Sequence, residues 1–241
     1  MIYYCIMENI DKIYFINLNR REDRKNHFLN ECIREKIPIN KLCRIEAIDG
    51  LIYNFHINEL SMFSKADFLK NTDNVIKKIF GNQLTHYYIL KEIINKNQDF
   101  AIIFQDDAVL IPNFMEYIDN VVDNLPNDTE IINIGLHKVA DLQYSEPWDF
   151  AITGDDLHKI GSQKINEYIC KLKSDINPAS LAYIVTLEGA KNMTKYFEEN
   201  GFKYATDYNF NNYLIKKNIF YSSSTILVTG NPILGSDIFT L

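Results

Sequence analysis

Two adjacent carboxylates, Asp106 and Asp107, follow the short apolar run Phe100-Ala-Ile-Ile-Phe104. Such a run reads as a strand buried on both faces of a parallel sheet. In open α/β sheets, ligands bind beyond the carboxyl ends of the strands. Neighbouring acids at that place repel each other unless a cation lies between them. Mg2+ and Mn2+ take oxygen ligands, and Mg2+ commonly uses one or two carboxylates together with substrate phosphates. The pair therefore reads either as a metal–diphosphate site or as a solvated turn after a strand, where Asp is common.

Anion-binding chemistry has candidates of its own. The five arginines, Arg20, Arg21, Arg24, Arg34 and Arg44, all precede residue 45, and the basic residues beyond them are lysines. Arg presents a rigid fork that suits phosphate, whereas Lys is a flexible point charge. Arg20 and Arg24 lie one turn apart at a helix start, where amide donors and the macrodipole also favour anions. The same residues equally suit an exposed, charged helix start paired with Glu22 and Asp23. His86 and Asp207 each fall in the first turns of a helix. A lone His there is more often a surface or cap residue than a ligand, and an Asp there stabilises the helix by itself.

The elements that must position these groups follow from periodicity. Residues 12–18 read as a first strand. A helix over 20–36 follows, with Asn19 as N-cap and Glu22 in the capping-box position. Residues 42–48 read as a second strand closed by Asp49-Gly50, giving a right-handed βαβ unit with parallel strands. Residues 51–80 lack a clear pattern. A helix is expected from Gly81 to Lys96, with Thr85 and His86 near its start, and another from Pro112 to about Leu125. Residues 130–135 and 178–185 read as strands, and residues 187–200 and 205–217 as helices. Strand-like segments occupy 219–228. Residues 136–173 hold Trp148, Asp155-Asp156 and two His, and read as an acceptor-side loop or lid, or as a hairpin on the sheet edge.

Composition bounds the class. A chain of 241 residues with 46% hydrophobic and 24% charged residues is ordinary for a globular protein and suits a single α/β domain over 1–241. A net charge of −7 argues against nucleic acid as the main partner. Cys5, Cys32, Cys43 and Cys170 show no paired spacing, so a disulfide framework and a zinc site are not expected and a reducing, cytosolic setting is favoured. The apolar start is short and lacks a basic region, so a signal peptide is not expected. No apolar run approaches the ~18 residues of a membrane helix, and a soluble protein is expected. The sequence leaves self-association open.

Taken in order, these pieces resemble the glycosyltransferase family of bacterial lipooligosaccharide galactosyltransferases and collagen hydroxylysine galactosyltransferases, family 25. Ile16-Asn17-Leu18-Asn19-Arg20 with Arg24 fits the family's opening pattern, and Ala47-Ile48-Asp49-Gly50 its Ala-x-Asp-Gly. Gly81 to His86 fits its Gly-x-x-x-Ser-His with Thr85 in place of Ser, and Gln105-Asp106-Asp107 stands at its Glu-Asp-Asp. Ala182-Tyr183, Gly189-Ala190 and Asp207 fit later positions. The departure is Gln105, an amide where the family has an acid.

The resemblance implies a GT-A-like, Rossmann-type domain with a mostly parallel sheet flanked by helices, a UDP-sugar donor, and Mn2+ or Mg2+ held by the acidic motif. It implies a donor site of Asn17, Leu18, Arg20, Arg24, Ala47, Asp49, Thr85, His86, Gln105 and Asp106. Asp107 is the expected direct metal ligand, with Asp106 as a second ligand or a partner of sugar hydroxyls. An inverting transfer to a glycan or hydroxylated-protein acceptor needs one general base, and Asp207 is the candidate. A UDP-sugar hydrolase, a non-catalytic nucleotide-sugar-binding protein and a phosphotransfer domain are the competing readings.

Overall fold

The computed structural model describes residues 10–63, 73–136, 162–174 and 180–238. Trp148 and Asp155-Asp156 lie outside them. The chain begins with β1 (Lys12–Asn17), α1 (Glu22–Arg34) and β2 (Leu42–Glu46), the expected βαβ unit. The remaining elements are α2 (Ile57–Phe63), α3 (Asp73–Asn95), β3 (Phe100–Gln105), β4 (Ala108–Leu110), α4 (Phe114–Asp123), β5 (Ile131–Asn133), β6 (Gln163–Lys164), β7 (Ile169–Lys171), β8 (Ala182–Thr186), α5 (Leu187–Asn200), α6 (Thr206–Lys217), β9 (Tyr221–Ser223) and β10 (Val228–Gly230).

The main sheet has the order β2-β1-β3-β8-β5-β9-β7-β6. β1 pairs in parallel with both β2 and β3, and β5 in parallel with β9. β8 runs antiparallel between β3 and β5, and β7 antiparallel to β9 and β6. All strands but β8 and β7 thus share one direction, and the sheet is mostly parallel in that sense. The β6–β7 hairpin forms an edge, one of the two forms expected for that region. A small antiparallel pair, β4 with β10, stands beside the main sheet.

The central strands are apolar on both faces because helices cover both. Phe28 of α1 packs between Phe15 and Phe104, with ring centroids 5.0 and 5.2 Å apart. On the other side α3 presents Leu84, Ile89, Leu90 and Ile93, all buried. Burying side chains of this kind contributes about 2 kcal/mol each.

Three helix starts differ from expectation. α1 begins at Glu22 with Arg21 as an N-cap that makes no side-chain cap bond. Asn19 is not free to cap it, because its amide donates to Glu46 and its oxygen accepts from Arg44 Nη2 at 2.7 Å. Glu22 pairs with Lys25 at 2.8 Å. α3 starts at Asp73, two turns before Gly81, since Ile76 and Phe80 continue the apolar face and are buried. His86 therefore sits in mid-helix. α4 starts at Phe114, after Asn113 takes a left-handed turn at φ 62°. Among the described residues no helix is long and apolar enough to cross a membrane.

Candidate functional site

The parallel register of β1, β2 and β3 brings three loops to one sheet edge. Ile16 lies opposite Gln105 and Asn17 opposite Glu46. The next residue of the central strand, Asp106, then falls beside Asn17. The Asn17 amide donates to Asp106 Oδ2 at 2.6 Å and to the Arg21 carbonyl at 2.9 Å. Its oxygen accepts from Arg44 Nε at 2.9 Å, so Arg44 orients Asn17 and Asn17 orients the acid.

Arg24, buried on the first turn of α1, reaches the same edge. Its Nη1 lies 3.1 Å from Asp106 Oδ1 and 3.3 Å from Asp237 Oδ2, and its Nη2 is bonded to Asp107 Oδ2. Burial raises the Asp106 carboxyl to about 6, against the opposing pull of Arg24 and Asn17. Two buried atoms of this network have no hydrogen-bond partner among the described residues, Asp107 Oδ1 and Arg24 Nε. An orphaned carboxylate oxygen in a buried acid pair fits a hard cation, so the residues present suit Mn2+ or Mg2+. No group of three or more His, Cys, Asp or Glu among the described residues is arranged to hold a metal. The fit is therefore a two-carboxylate one, the kind that leaves coordination to substrate phosphates.

The arginines meet a partner that local sequence reasoning did not anticipate. Asp237 accepts from Arg20 Nη2 at 3.1 Å, and from Arg21 Nη1. Arg20 Nη1 pairs with Asp49, and Arg21 Nη2 donates to the Leu234 carbonyl at 2.8 Å. No spacing signal links Asp237 to Arg20, more than 200 residues away, and only the return of the chain through β10 places it there.

These groups wall a cavity of about 580 Å³, within the usual size range for a ligand site. Leu18, Arg20, Arg24, Ala47, Asp49, Gln105, Asp106, Asp107 and Asp207 all line it. Lys78, Asn82, Ser180, Tyr208 and Asp237 line it too and were not anticipated. Gln105 is turned to the start of β8, where its amide nitrogen lies 3.2 Å from the Ser180 carbonyl and 3.1 Å from Ser180 Oγ. Asp207 comes to the wall on the first turn of α6, whose start is held from α3: Thr206 Oγ1 donates to Asn82 Oδ1 at 2.7 Å, and Gln83 to the Tyr204 carbonyl.

Asn17, Thr85 and His86 are not among the lining residues. Thr85 Oγ1 accepts from the Ile48 amide at 2.9 Å and donates to the Gly81 carbonyl at 2.7 Å, fastening the 47–50 loop to α3. The loop presses so closely that a Cβ on Gly81 would lie 2.2 Å from the Ile48 oxygen. His86 is fully buried, with Nδ1 2.7 Å from the Tyr183 hydroxyl, and burial drives its pKa down to about 3. Both motif residues support the site from behind.

Human procollagen galactosyltransferase 2 is 23% identical over 189 residues, covering 76% of this chain and 27% of that protein. Zebrafish (Danio rerio) procollagen galactosyltransferase 1 is 22% identical over 192 residues, 77% of this chain and 28% of that protein. The chain thus spans little more than a quarter of the length of these relatives. Among solved structures, mouse xyloside xylosyltransferase 1 covers 87% of this chain and 82% of its own at 8% identity and a TM-score of 0.45. A glycosyltransferase involved in glycosylation of the PBCV-1 major capsid covers 87% and 75% at 11% identity and a TM-score of 0.38. The model of glycosyltransferase family 25 (LPS biosynthesis protein) matches residues 10–210, from β1 into α6, and the chain belongs to that family.

Proposed function

We propose that this protein transfers a hexose-type sugar from a UDP-sugar to a hydroxyl acceptor, a glycan or a hydroxylated protein, with inversion at the anomeric carbon. The observation that carries the reading is the Asp106–Asp107 pair at the end of β3, facing a cavity whose walls bring arginines and Asp207. Asp107, with its orphaned oxygen, and Asp106 would hold Mn2+ or Mg2+. When bound, the ion supplies charge neutralisation at the diphosphate leaving group.

The chain's own residues supply the rest. Arg20 and Arg24 offer guanidinium forks to the phosphates, and Leu18, Ala47 and Asp49 shape the nucleotide wall. Asp207 takes the acceptor hydroxyl proton as that oxygen attacks the anomeric carbon. The bond from that carbon to the diphosphate breaks, and its electron pair leaves with UDP. A base positioned in this way contributes typically 10²–10⁴-fold.

A panel of UDP-sugars assayed for UDP release with and without Mn2+ tests the reading. Metal-dependent release is expected, abolished in Asp107→Ala. In Asp207→Asn donor binding should persist while transfer is lost. Unchanged turnover in either variant removes that residue from the mechanism. A second reading, a nucleotide-sugar-binding protein without turnover, is favoured by Gln105, whose amide nitrogen is engaged by Ser180. Tight UDP binding with no release under any metal would select it.

A further inference from the structure

We propose that Asp237 is an internal stand-in for the donor's diphosphate and sets how tightly a nucleotide binds, an inference that rests on the nucleotide-sugar reading above. Its carboxylate is gripped by three guanidinium groups, those of Arg20, Arg21 and Arg24. These are the groups that suit a phosphate by charge and fork geometry. The segment bearing it is tied down by the same side chains. Arg21 Nη2 donates to the Leu234 carbonyl at 2.8 Å, and Arg24 Nη2 lies 3.3 Å from the Gly235 carbonyl. The grip is partly removed from water: the side chains of Arg24, Asp237 and Arg21 are 9%, 16% and 19% exposed, and that of Arg20, at the rim, 43%.

Gly235, Ser236, Asp237 and Ile238 line the same cavity as Asp106 and Asp107. A diphosphate entering it meets arginines already engaged by anions of the chain itself, Asp237 being the one that all three share. The chain further back from Asp237 is anchored independently, because the Asn231 amide donates to the Asp107 carbonyl at 2.7 Å. Displacement of Asp237 can therefore leave Asn231 in place, with Gly235, at φ 66° and with nothing within 4 Å of a Cβ built on it, as the natural pivot. A site that must first release an internal partner binds its ligand more weakly by the fraction of time that partner is away.

The test is calorimetric titration of the metal-free full chain with inorganic pyrophosphate and, separately, with UDP, using wild type, Asp237→Asn and Asp237→Ala. Removing the carboxylate should tighten both ligands about tenfold. Equal or weaker binding in folded variants would overturn the proposal and make Asp237 a structural or ligand-holding residue. Hydrogen exchange on the wild type gives an answer that needs no variant. Amides of residues 234–238 should exchange faster once pyrophosphate binds, and slower exchange would mean that the segment closes over the ligand. If pyrophosphate tightens in the variants while UDP binds to none of them, Asp237 still competes with a diphosphate, and the nucleotide reading is what falls.

Discussion

Arg24 Nη2 on α1 is bonded to Asp107 Oδ2 at the end of β3, and the same guanidinium lies 3.1 Å from Asp106. One cation thus compensates two buried carboxylates. Removing one partner of a buried ionic group leaves the others uncompensated, at a cost of about 3–5 kcal/mol. Arg24→Ala should therefore lower the unfolding midpoint sharply in metal-free buffer. Mn2+ should restore part of that loss, and should stabilise the variant more than the wild type. Thermal unfolding of both proteins with and without Mn2+ reads this out. Equal metal stabilisation of the two would mean that Arg24 and the ion do not share the acids.

Gln105 stands where the family has an acid, and its amide donates toward both Ser180 oxygens. Gln105→Glu would set a carboxylate against a carbonyl that now accepts a hydrogen bond. Metal-free, a loss of about 1–3 kcal/mol is expected. If the new carboxylate turns to the acid pair, Mn2+ affinity should rise above wild type. Chemical denaturation and Mn2+ titration separate the two effects, and a variant as stable as wild type without metal would contradict the first.

Gly81→Ala should be costly although alanine favours helices. The added Cβ would lie 2.2 Å from the Ile48 oxygen and 2.8 Å from the Gly50 amide nitrogen. Both are backbone atoms, so the 47–50 loop must move. A loss of about 2 kcal/mol is expected, together with weaker UDP binding because Asp49 moves with the loop. Normal UDP affinity in this variant would show that the loop does not touch the nucleotide.

His86 gives the fold a pH dependence of definite sign. Burial holds its imidazole neutral, with a pKa near 3, while in the unfolded chain it titrates near 6.5. Its contribution is present in full above pH 6.5. It is lost as the pH falls toward 3, at up to about 1.4 kcal/mol per unit. Asp106 works in the other direction. Its carboxyl is raised to about 6, so its contribution is full below the ordinary value near 4 and is lost as pH rises through 6. Urea midpoints at pH 7 and pH 5 for wild type and His86→Gln isolate the histidine. The wild type should lose more stability than the variant on acidification, and parallel curves would refute this role for His86.

The βαβ start, the apolar central strand ending in two acids, and the late helix with Asp207 in its first turn are all legible in the sequence. These are local. Each depends on an apolar period, a turn signal or a charge at a chain position, and β1, α1, β3, α5 and α6 lie close to where periodicity puts them. The sequence also located part of the cavity wall, because residues at the ends of parallel strands share one edge whatever the loops do. What those residues touch depends on packing between distant parts of the chain. Thr85 and His86 read as site residues by motif, yet neither lines the cavity: one fastens a loop and the other is sealed against Tyr183. Asp237 had no local signal at all. It reaches Arg20, Arg21 and Arg24 because β10 pairs with β4 and returns the chain to the sheet edge where β1 ends. Periodicity reports which face of an element is apolar. It carries no information on which charge, 200 residues on, the fold will set against it.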